Sequence, residues 1–203
     1  MSSMDRIARA RAIRSRSDAV DVYREWAADY DDDVFGTLAF TGTDRIVELF
    51  AQHQHERTVP VVDLGCGTGV AGDRLHDYGF TTVDGIDISA EMLDVAASRH
   101  VYRQLLTADL MAPVPWPSGS YGGAVSAGTF TSGHVGPGAL PEIVRLLQPG
   151  AIVAWVIASS VWPAFEPAIA AAGFDVLHDG EEPIRRDGPA EARMLVAQLC
   201  SEA

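Results

Sequence analysis

Apolar runs alternate with amphipathic stretches along the chain from residue 58 onward. TVPVVDL at 58–64 and AIVAWVIA at 151–158 are short apolar runs next to glycines, which predicts buried strands. Between them, SAEMLDVAASR at 89–99 has apolar residues at helical spacing and begins with Ser89, a residue type that caps helix N-termini. The hydrophobic pattern therefore predicts strands and helices in alternation.

The rest of this region continues the alternation. The remaining predicted strands are 81–88, 102–109, 121–128, 174–180 and 192–199, and the remaining predicted helices are 69–79, 137–150 and 161–172. Such alternation predicts a parallel sheet with helices on both faces. The segment 181–191 between the last two strands has no helical pattern, so we expect the final strand to be antiparallel. The predicted fold is α/β, with a seven-stranded, mostly parallel sheet.

The N-terminal part of the chain differs from the rest in pattern and charge. We expect residues 1–57 to form a helical cap or lid on a main domain at 58–203, the two making one structural unit. The net charge is −13, yet residues 1–16 carry a net +4, so the remainder carries −17. A targeting peptide and an anion contact are two interpretations of the basic arm, but the pattern favours a frayed or docked helix.

Charge and cysteine content narrow the function classes. An acidic body repels phosphate, which predicts a small-molecule substrate and neither nucleic acid nor a membrane as partner. Cys66 and Cys200 give no disulfide framework, and the N-terminus has no apolar signal segment, so we expect a cytoplasmic protein. The six histidines have no metal-binding spacing. The oligomeric state leaves no signal in the sequence.

The segment VVDLGCGTGVAG at 61–72 predicts a cofactor loop, but it matches two patterns. It contains GxGxG from Gly65 and GxGxxG from Gly67, and the second is the fingerprint of NAD- and FAD-binding folds. A dinucleotide turn begins directly after the strand, which here ends at Leu64, so the second match starts two residues late. Asp63 would also repel a pyrophosphate, whereas it would attract the cationic groups of S-adenosylmethionine.

Four segments, VVDLGCGTG, GIDISAEML, TADL and QPG, occur in the order and spacing of a known family. With them the chain resembles the class I, seven-stranded S-adenosylmethionine-dependent methyltransferases, which have a Rossmann-like fold. VYREWAADYDDDV and SAGTFTSGHVGPGAL are similar to the methyltransferase-like proteins of the Williams-Beuren region and their bacterial relatives. Two departures are Tyr121-Gly122 at the fourth strand and Pro149-Gly150-Ala151 before the fifth, and neither position contacts the cofactor in the family.

The resemblance implies S-adenosylmethionine as cofactor and assigns residues to its methionine end. Asp63 would lie near the amino group, and Gly65, Cys66 and Gly67 would contact the methionine portion through their backbone. Gly69 would allow tight packing between strand and helix. The sulfonium end would be lined by Ala127 and Gly128.

The resemblance also assigns residues to the adenosine end. Asp87 would accept hydrogen bonds from both ribose hydroxyls, and Ile88 would pack on the adenine. Asp109 would accept a hydrogen bond from the adenine amino group, with Leu110 beside the ring.

Tyr23, Trp26 and Tyr30 lie on one predicted helical face. Two interpretations stand: they pin an N-terminal helix to the core, or they form a lid in which Tyr23 or Tyr30 approaches the methionine carboxylate. The three aspartates that follow, 31–33, are interpreted as a solvated helix end, with the alternative that one of them faces a cationic substrate.

His134 follows the fourth predicted strand, and ligands of α/β sheets bind beyond the carboxyl ends of strands. It is therefore a candidate general base, with a structural role in its loop as the alternative. The predicted function is methyl transfer to an oxygen or nitrogen of a small molecule by in-line displacement. An NAD-dependent oxidoreductase and a noncatalytic S-adenosylmethionine-binding protein are the alternatives.

Overall fold

Seven strands form one mixed sheet in the computed structural model, which describes residues 1–200. The sheet order is β3-β2-β1-β4-β5-β7-β6. The strands are β1 (Val61–Leu64), β2 (Val83–Asp87), β3 (Gln104–Thr107), β4 (Tyr121–Phe130), β5 (Leu147–Ala158), β6 (Phe174–Pro183) and β7 (Ala190–Leu199). All seven predicted strands are present, and the predicted fold class is confirmed. The last three residues of the predicted domain at 58–203 lie outside the described range.

β7 is antiparallel to both of its neighbours, β5 and β6, whereas β1 to β5 pair in parallel. Only residues 184–189 connect β6 to β7, which is too short for a crossover helix, so the chain turns back as a hairpin. The prediction of an antiparallel final strand is confirmed.

Seven α-helices accompany the strands in the described part of the chain. They are α1 (Ser3–Arg11), α2 (Arg16–Trp26), α3 (Gly42–His53), α4 (Val70–Asp77), α5 (Ala90–Ala97), α6 (Leu140–Leu146) and α7 (Trp162–Ala171). A 3₁₀ turn extends α2 at residues 27–29, and a π-helical segment spans 32–37. Ser89 caps α5 as predicted, with its side chain accepting from the amide of Met92.

The predicted helix at 137–150 is shorter than its pattern suggested. A 3₁₀ turn at 137–139 leads into α6, which ends at Leu146, and β5 begins at the next residue. Leu147 pairs with Tyr121 of β4, and the sheet register then shifts before Gly123 meets Ile152. The prediction was wrong at this end because pairing with β4 extends the strand backwards across Pro149-Gly150.

Two apolar clusters cover the two faces of the sheet. One buries α6 and α7 residues such as Ile143 and Phe165 against β4 and β5. The other buries Val47 and Phe50 of α3, with Leu75 of α4, against the opposite face. α3 therefore packs directly on the sheet, although it falls within the 1–57 segment that the sequence assigned to a cap; that division stays a prediction. None of the described helices is long and apolar enough to cross a membrane.

The N-terminal helices have an apolar cluster of their own, which includes Ile7, Ile13 and Trp26. Asp33 is fixed within this cluster: its carboxylate accepts hydrogen bonds from Arg6 at 2.5 Å and from Trp26 Nε1 at 2.7 Å. The basic arm thus forms a docked helix, as the sequence favoured. The interpretation of 31–33 as a solvated helix end is wrong for Asp33, which is 2% exposed, because it pairs with the partly exposed Arg6 guanidinium and accepts from the Trp26 indole.

Candidate functional site

The glycine loop after β1 is fixed by the end of β4. Gly65 and Gly67 have φ of +70° and +52°, a conformation that favours glycine. A Cβ at Gly65 would lie 2.1 Å from Thr129 Oγ1, and that hydroxyl donates to the Leu64 carbonyl at 3.0 Å. Thr129 therefore holds the loop so close to β4 that no side chain fits at residue 65. Sequence reasoning missed Thr129.

Asp87 ends β2 and faces the same loop. Its Oδ2 accepts a hydrogen bond from the Gly67 amide, and its Oδ1 accepts one from the Ser89 amide, both at 2.9 Å. Enclosure of the carboxyl raises its pKa, and these backbone donors offset part of the rise. The two amides orient the carboxylate and leave further lone pairs on its oxygens for a ligand.

Asp63 lies in β1 with 1% of its surface exposed. Tyr102 donates its hydroxyl to Asp63 Oδ2 at 2.7 Å, and the Gly72 amide donates to the Tyr102 oxygen at 3.2 Å. Burial raises the pKa of Asp63 to about 7, although the Tyr102 hydrogen bond opposes the rise. Sequence reasoning missed Tyr102. The only available signal was that a buried carboxylate needs a donor.

Two cavities adjoin at the carboxyl ends of β1, β2 and β4. The first has a volume of about 400 Å³ and the second about 290 Å³. Seven residues line both cavities: Tyr23, Tyr30, Gly65, Gly67, Ala127, Gly128 and His134. The first cavity alone takes Asp87, Ile88, Asp109 and Leu110, and the second alone takes Asp63, Cys66 and Trp26. The structure thus brings together all but one of the predicted site residues.

The exception is Gly69, which lies outside both cavities at the N-terminus of α4. A Cβ there would come within 2.9 Å of the Tyr102 ring and 3.1 Å of Ala96. These close neighbours belong to α5 and the segment after it, so the predicted role in packing between strand and helix stays a prediction.

The donor set and the space fit S-adenosylmethionine. A Cβ at Gly67 or Gly128 would meet no atom within 4 Å, so the loop and the β4 end leave an open cradle. The first cavity falls within the range of about 300–1,000 Å³ typical of ligand pockets. Asp87 offers the carboxylate that a ribose diol requires, and Asp63 offers the second acid near the loop. The individual contacts assigned to these residues stay predictions.

Asp109 has a partner that the sequence did not suggest. Its Oδ2 lies 3.3 Å from Nε of Arg16, the first residue of α2, while its Oδ1 accepts from the Met111 amide at 2.9 Å. Arg16 is exposed and lines the first cavity together with Arg14. The basic arm thus reaches the adenine end of the predicted site.

Tyr23 and His134 meet where the two cavities join. The Tyr23 hydroxyl lies 2.7 Å from His134 Nε2, and His134 Nδ1 lies 3.1 Å from the Ser132 carbonyl. A carbonyl only accepts, so Nδ1 carries the proton and Nε2 of the neutral ring accepts from Tyr23. Partial burial lowers the pKa of His134, which favours this neutral form. Both residues were singled out from the sequence, but their contact was not predicted.

The aromatic residues of α2 form a continuous stack behind this pair. The Tyr23 and Trp26 rings are parallel, with centroids 6.2 Å apart, and Tyr30 meets Trp26 edge-on at 4.8 Å. Trp26 is 3% exposed. The rings pack in the N-terminal cluster, as the first interpretation has it, and they also line the second cavity. The approach of Tyr23 or Tyr30 to the methionine carboxylate stays a prediction.

Polar contacts fasten the N-terminal segment to the glycine loop. Thr68 donates its hydroxyl to Asp31 Oδ1 at 2.5 Å. Arg99 forms ion pairs with both Asp31 and Asp73 and donates to the Thr68 carbonyl. The side chain of Asp31 is 38% exposed, but solvation is only part of its role, because Arg99 and the loop hydroxyl bind its two oxygens.

The loop after β4 touches the chain between α1 and α2. A Cβ on Gly133 would lie 2.1 Å from the Ile13 carbonyl oxygen. The backbone that carries His134 therefore lies in direct contact with the N-terminal segment.

The class of protein follows from this geometry and from sequence comparison. A family described as a methyltransferase domain matches residues 61–150. The structure resembles an S-adenosylmethionine-dependent methyltransferase from Mesorhizobium loti, with a TM-score of 0.59 and 18% identity over 77% of this chain and 100% of that one. Residues 61–150 therefore carry a methyltransferase domain, and the sheet has the Rossmann-like fold of the class I methyltransferases that the motifs predicted. The prediction of S-adenosylmethionine as cofactor is confirmed.

Two relatives with similar amino-acid sequences carry more specific names than the domain family. Human methyltransferase-like protein 27 is 30% identical over 151 residues, which cover 73% of this chain and 61% of the human protein. The mouse 18S rRNA (guanine-N(7))-methyltransferase is 38% identical over 84 residues, which cover 41% of this chain and 29% of the mouse protein. The chain thus spans less than two thirds of either relative.

The [4+2]-cyclase SpnF shares the fold, with a TM-score of 0.74 and 19% identity over 94% of this chain and 98% of SpnF. Its name shows that the fold alone does not define the reaction.

The prediction of a small-molecule substrate, with nucleic acid excluded, is contradicted by the relatives. The mouse protein and its counterparts in Dictyostelium discoideum and Arabidopsis thaliana are named as 18S rRNA (guanine-N(7))-methyltransferases. The exclusion failed because net charge is a sum over the whole molecule, whereas binding depends on the local field. Here the basic arm places the positive charges of Arg14 and Arg16 at the first cavity, although the net charge of the chain is −13.

Proposed function

We propose that this chain transfers the methyl group of S-adenosylmethionine to a nucleophilic oxygen or nitrogen. The observation that supports this most strongly is the pair of adjoining cavities. One contains a fixed acid, Asp87, and both are lined by Tyr23 and His134. A cofactor with its adenosine in the first cavity and its methionine end near Asp63 in the second would have its sulfonium at the junction, beside these two side chains.

Different residues of the site would bind different parts of the cofactor. Asp87 accepts from the ribose hydroxyls, and Asp63 attracts the methionine ammonium from beneath the glycine loop. Gly67 and Gly128 have no side chains, which leaves space for the cofactor beside the loop and the end of β4. When bound, S-adenosylmethionine supplies a methyl group made electrophilic by the positive sulfur. The walls hold the acceptor atom in line with it, and such positioning accounts for much of catalysis in reactions of this kind.

The acceptor would lie against the part of the second cavity that is apolar and aromatic, away from Asp63 and Cys66. Four apolar residues of the N-terminal 57 residues line the second cavity: Trp26, Val34, Phe35 and Phe40. A planar group would gain stacking and desolvation there. Because relatives act on guanine in rRNA, RNA belongs among the acceptors to be tested.

The proposal is tested first by binding and then by transfer. S-adenosylhomocysteine should raise the melting temperature of the protein by mass action, whereas NAD should not. Radioactive methyl transfer is then followed onto guanine-containing RNA and onto hydroxyl and amine compounds. A thermal shift with NAD alone would favour the oxidoreductase alternative, and tight binding without transfer would favour a noncatalytic role. A cytoplasmic location remains part of the proposal, to be checked by fractionation.

A further inference from the structure

The contact between Tyr23 and His134 joins distant parts of the chain at a single point. Tyr23 belongs to α2, and His134 follows β4, so 111 residues separate them in sequence. Both side chains line both cavities. The pair is therefore placed at the junction of the cavities, where the sulfonium of a cofactor that spans both would meet a nucleophile.

The hydrogen bonds of this pair have a definite direction. Nδ1 of His134 donates to the Ser132 carbonyl, so the lone pair of the neutral ring lies on Nε2 and accepts from the Tyr23 hydroxyl. The oxygen of Tyr23 keeps its own lone pairs for a second hydrogen-bond donor. A group with an O–H or N–H bond could donate to it, which would complete a chain from that group to Nε2.

From this geometry we infer that Tyr23 and His134 form a proton relay for an acceptor whose nucleophilic atom carries a proton. This inference rests on the proposed function. Hydroxyls and amines belong to this class, including the 2′-hydroxyl and exocyclic amines of nucleic acids. Guanine N7 does not, because it attacks through a lone pair and has no proton to lose. The site thus differs in chemistry from that named for the rRNA-modifying relatives.

The transfer balances without another reactant. The acceptor atom forms a bond to the methyl carbon as the carbon–sulfur bond breaks, and the electron pair of that bond stays on sulfur. The proton of the acceptor passes to the Tyr23 oxygen while the Tyr23 proton passes to His134 Nε2. Tyr23 ends neutral and His134 ends as an imidazolium, which returns its proton to water when the site opens.

The environment keeps both groups in the required starting states. Burial raises the pKa of Tyr23, so its hydroxyl stays protonated, and burial lowers the pKa of His134, so its ring stays neutral. The other titratable or charged groups that line the two cavities are Tyr30, Asp63, Cys66, Asp87, Asp109 and the arginines of residues 11–16.

The first experiment needs no acceptor. Ring-nitrogen NMR of ¹⁵N-histidine-labelled protein, saturated with S-adenosylhomocysteine, reports the tautomer and hydrogen bonding of His134. We expect an unprotonated Nε2 at pH 7.5 whose resonance moves in the Tyr23→Phe variant and stays in place in Tyr78→Phe, an exposed tyrosine. An unmoved resonance in Tyr23→Phe overturns the relay and leaves the proposed function standing. Failure to bind S-adenosylhomocysteine overturns the proposed function itself.

The second experiment measures single-turnover methyl transfer to a phenol, a primary amine and a guanine-containing RNA, with the methylated atom identified by mass spectrometry. We expect methylation at oxygen or at an amine nitrogen. His134→Ala and Tyr23→Phe should each slow it by roughly 10²–10⁴-fold, with the double variant no slower, because the two act as one unit. His55→Ala, at an exposed position, serves as the matched control.

Two readouts separate a relay from a structural role. The wild-type rate should rise with pH through the His134 titration and lose that step in His134→Ala, and the affinity for S-adenosylhomocysteine should stay within about twofold in both variants. Methylation at guanine N7 with unchanged rates in these variants overturns the relay. Transfer to none of the probes overturns the proposed function, and with it the relay.

Discussion

Tyr102 donates its hydroxyl to Asp63 at 2.7 Å, so the buried acid of β1 depends on a residue that follows α5. The Tyr102 ring also packs where a Cβ on Gly69 or Gly72 would stand. One tyrosine therefore fixes both the acid and the start of α4. Because burial raises the pKa of Asp63 to about 7, the protein has a carboxyl beside the cofactor loop that titrates near neutrality.

Cofactor binding should release a proton from Asp63. A methionine ammonium nearby favours the carboxylate, so the affinity for S-adenosylhomocysteine should increase as pH rises through about 7 and level off above it. Calorimetry in two buffers of different ionisation enthalpy measures the proton release. Asp63→Asn should abolish it, and Asp32→Asn, at an exposed position, should not. Equal heats in both buffers for the wild type would contradict the role given to Asp63.

The same carboxyl should limit the stability of the ligand-free protein. Its folded pKa lies above the unfolded value of about 4, so its cost to the fold grows between pH 4 and pH 7 and is constant above. Asp63→Asn should therefore raise the free energy of unfolding at pH 8, by on the order of 4 kcal/mol at most, and change it little at pH 4. Urea denaturation at both pH values is the measurement. Equal effects at the two pH values would rule out this titration.

Asp87→Ala should weaken binding of S-adenosylhomocysteine by on the order of 2–4 kcal/mol, because charged hydrogen bonds at an enclosed site are lost. The backbone amides of Gly67 and Ser89 would also lose their acceptor. Asp94→Ala, on the exposed face of α5, is the control. Calorimetric affinity equal to wild type would remove Asp87 from the binding site. Asp84 offers no substitute, since it is fully buried and bound to Arg103 and Tyr121.

Asp33→Ala should loosen the N-terminal helices while the sheet stays folded. The change leaves Arg6 and the Trp26 indole without their acceptor. Such a loss costs about 3–5 kcal/mol in a fully buried pair and less here, because the Arg6 side chain is 15% exposed. Amide exchange should accelerate in α1 and α2 and remain slow in β4 and β5. Asp32→Ala, its exposed neighbour, should leave every element unchanged.

Acid should act on the same contact. The Arg6 guanidinium holds the pKa of Asp33 well below its usual range. Its contribution to stability is therefore present above the unfolded value of about 4 and is lost as pH falls below it. We expect exchange in α1 to rise on acidification below pH 4 in the wild type but not in Asp33→Ala. A wild-type segment indifferent to acid would show that this ion pair does not hold it.

Arg16 should compete with the adenine for Asp109. Exposed ion pairs contribute about 0–1 kcal/mol, so Arg16→Ala should leave affinity for S-adenosylhomocysteine unchanged or raise it by no more than that. Asp109→Ala should lower it, because the predicted partner of the adenine amino group is gone. A large loss in Arg16→Ala, compared with Arg9→Ala at an exposed pair with Glu25, would show that Arg16 itself binds the cofactor.

Local patterns in the sequence indicated the elements, whereas contacts between distant residues stayed hidden. The Ser89 cap and the antiparallel β7 were predictable because a side chain and a short connection determine them locally. The start of β5 at Leu147 was not, since it depends on pairing with β4. The contact between Tyr23 and His134 was likewise not predictable, because the two residues are 111 positions apart and meet only in the folded chain.

Gly133 and Ile13 touch backbone to backbone, with no space for even a methyl group between them. Outward movement of either segment alone would break this backbone contact. A side chain at residue 133 would therefore force the loop that carries His134 away from the N-terminal segment and widen the junction of the two cavities.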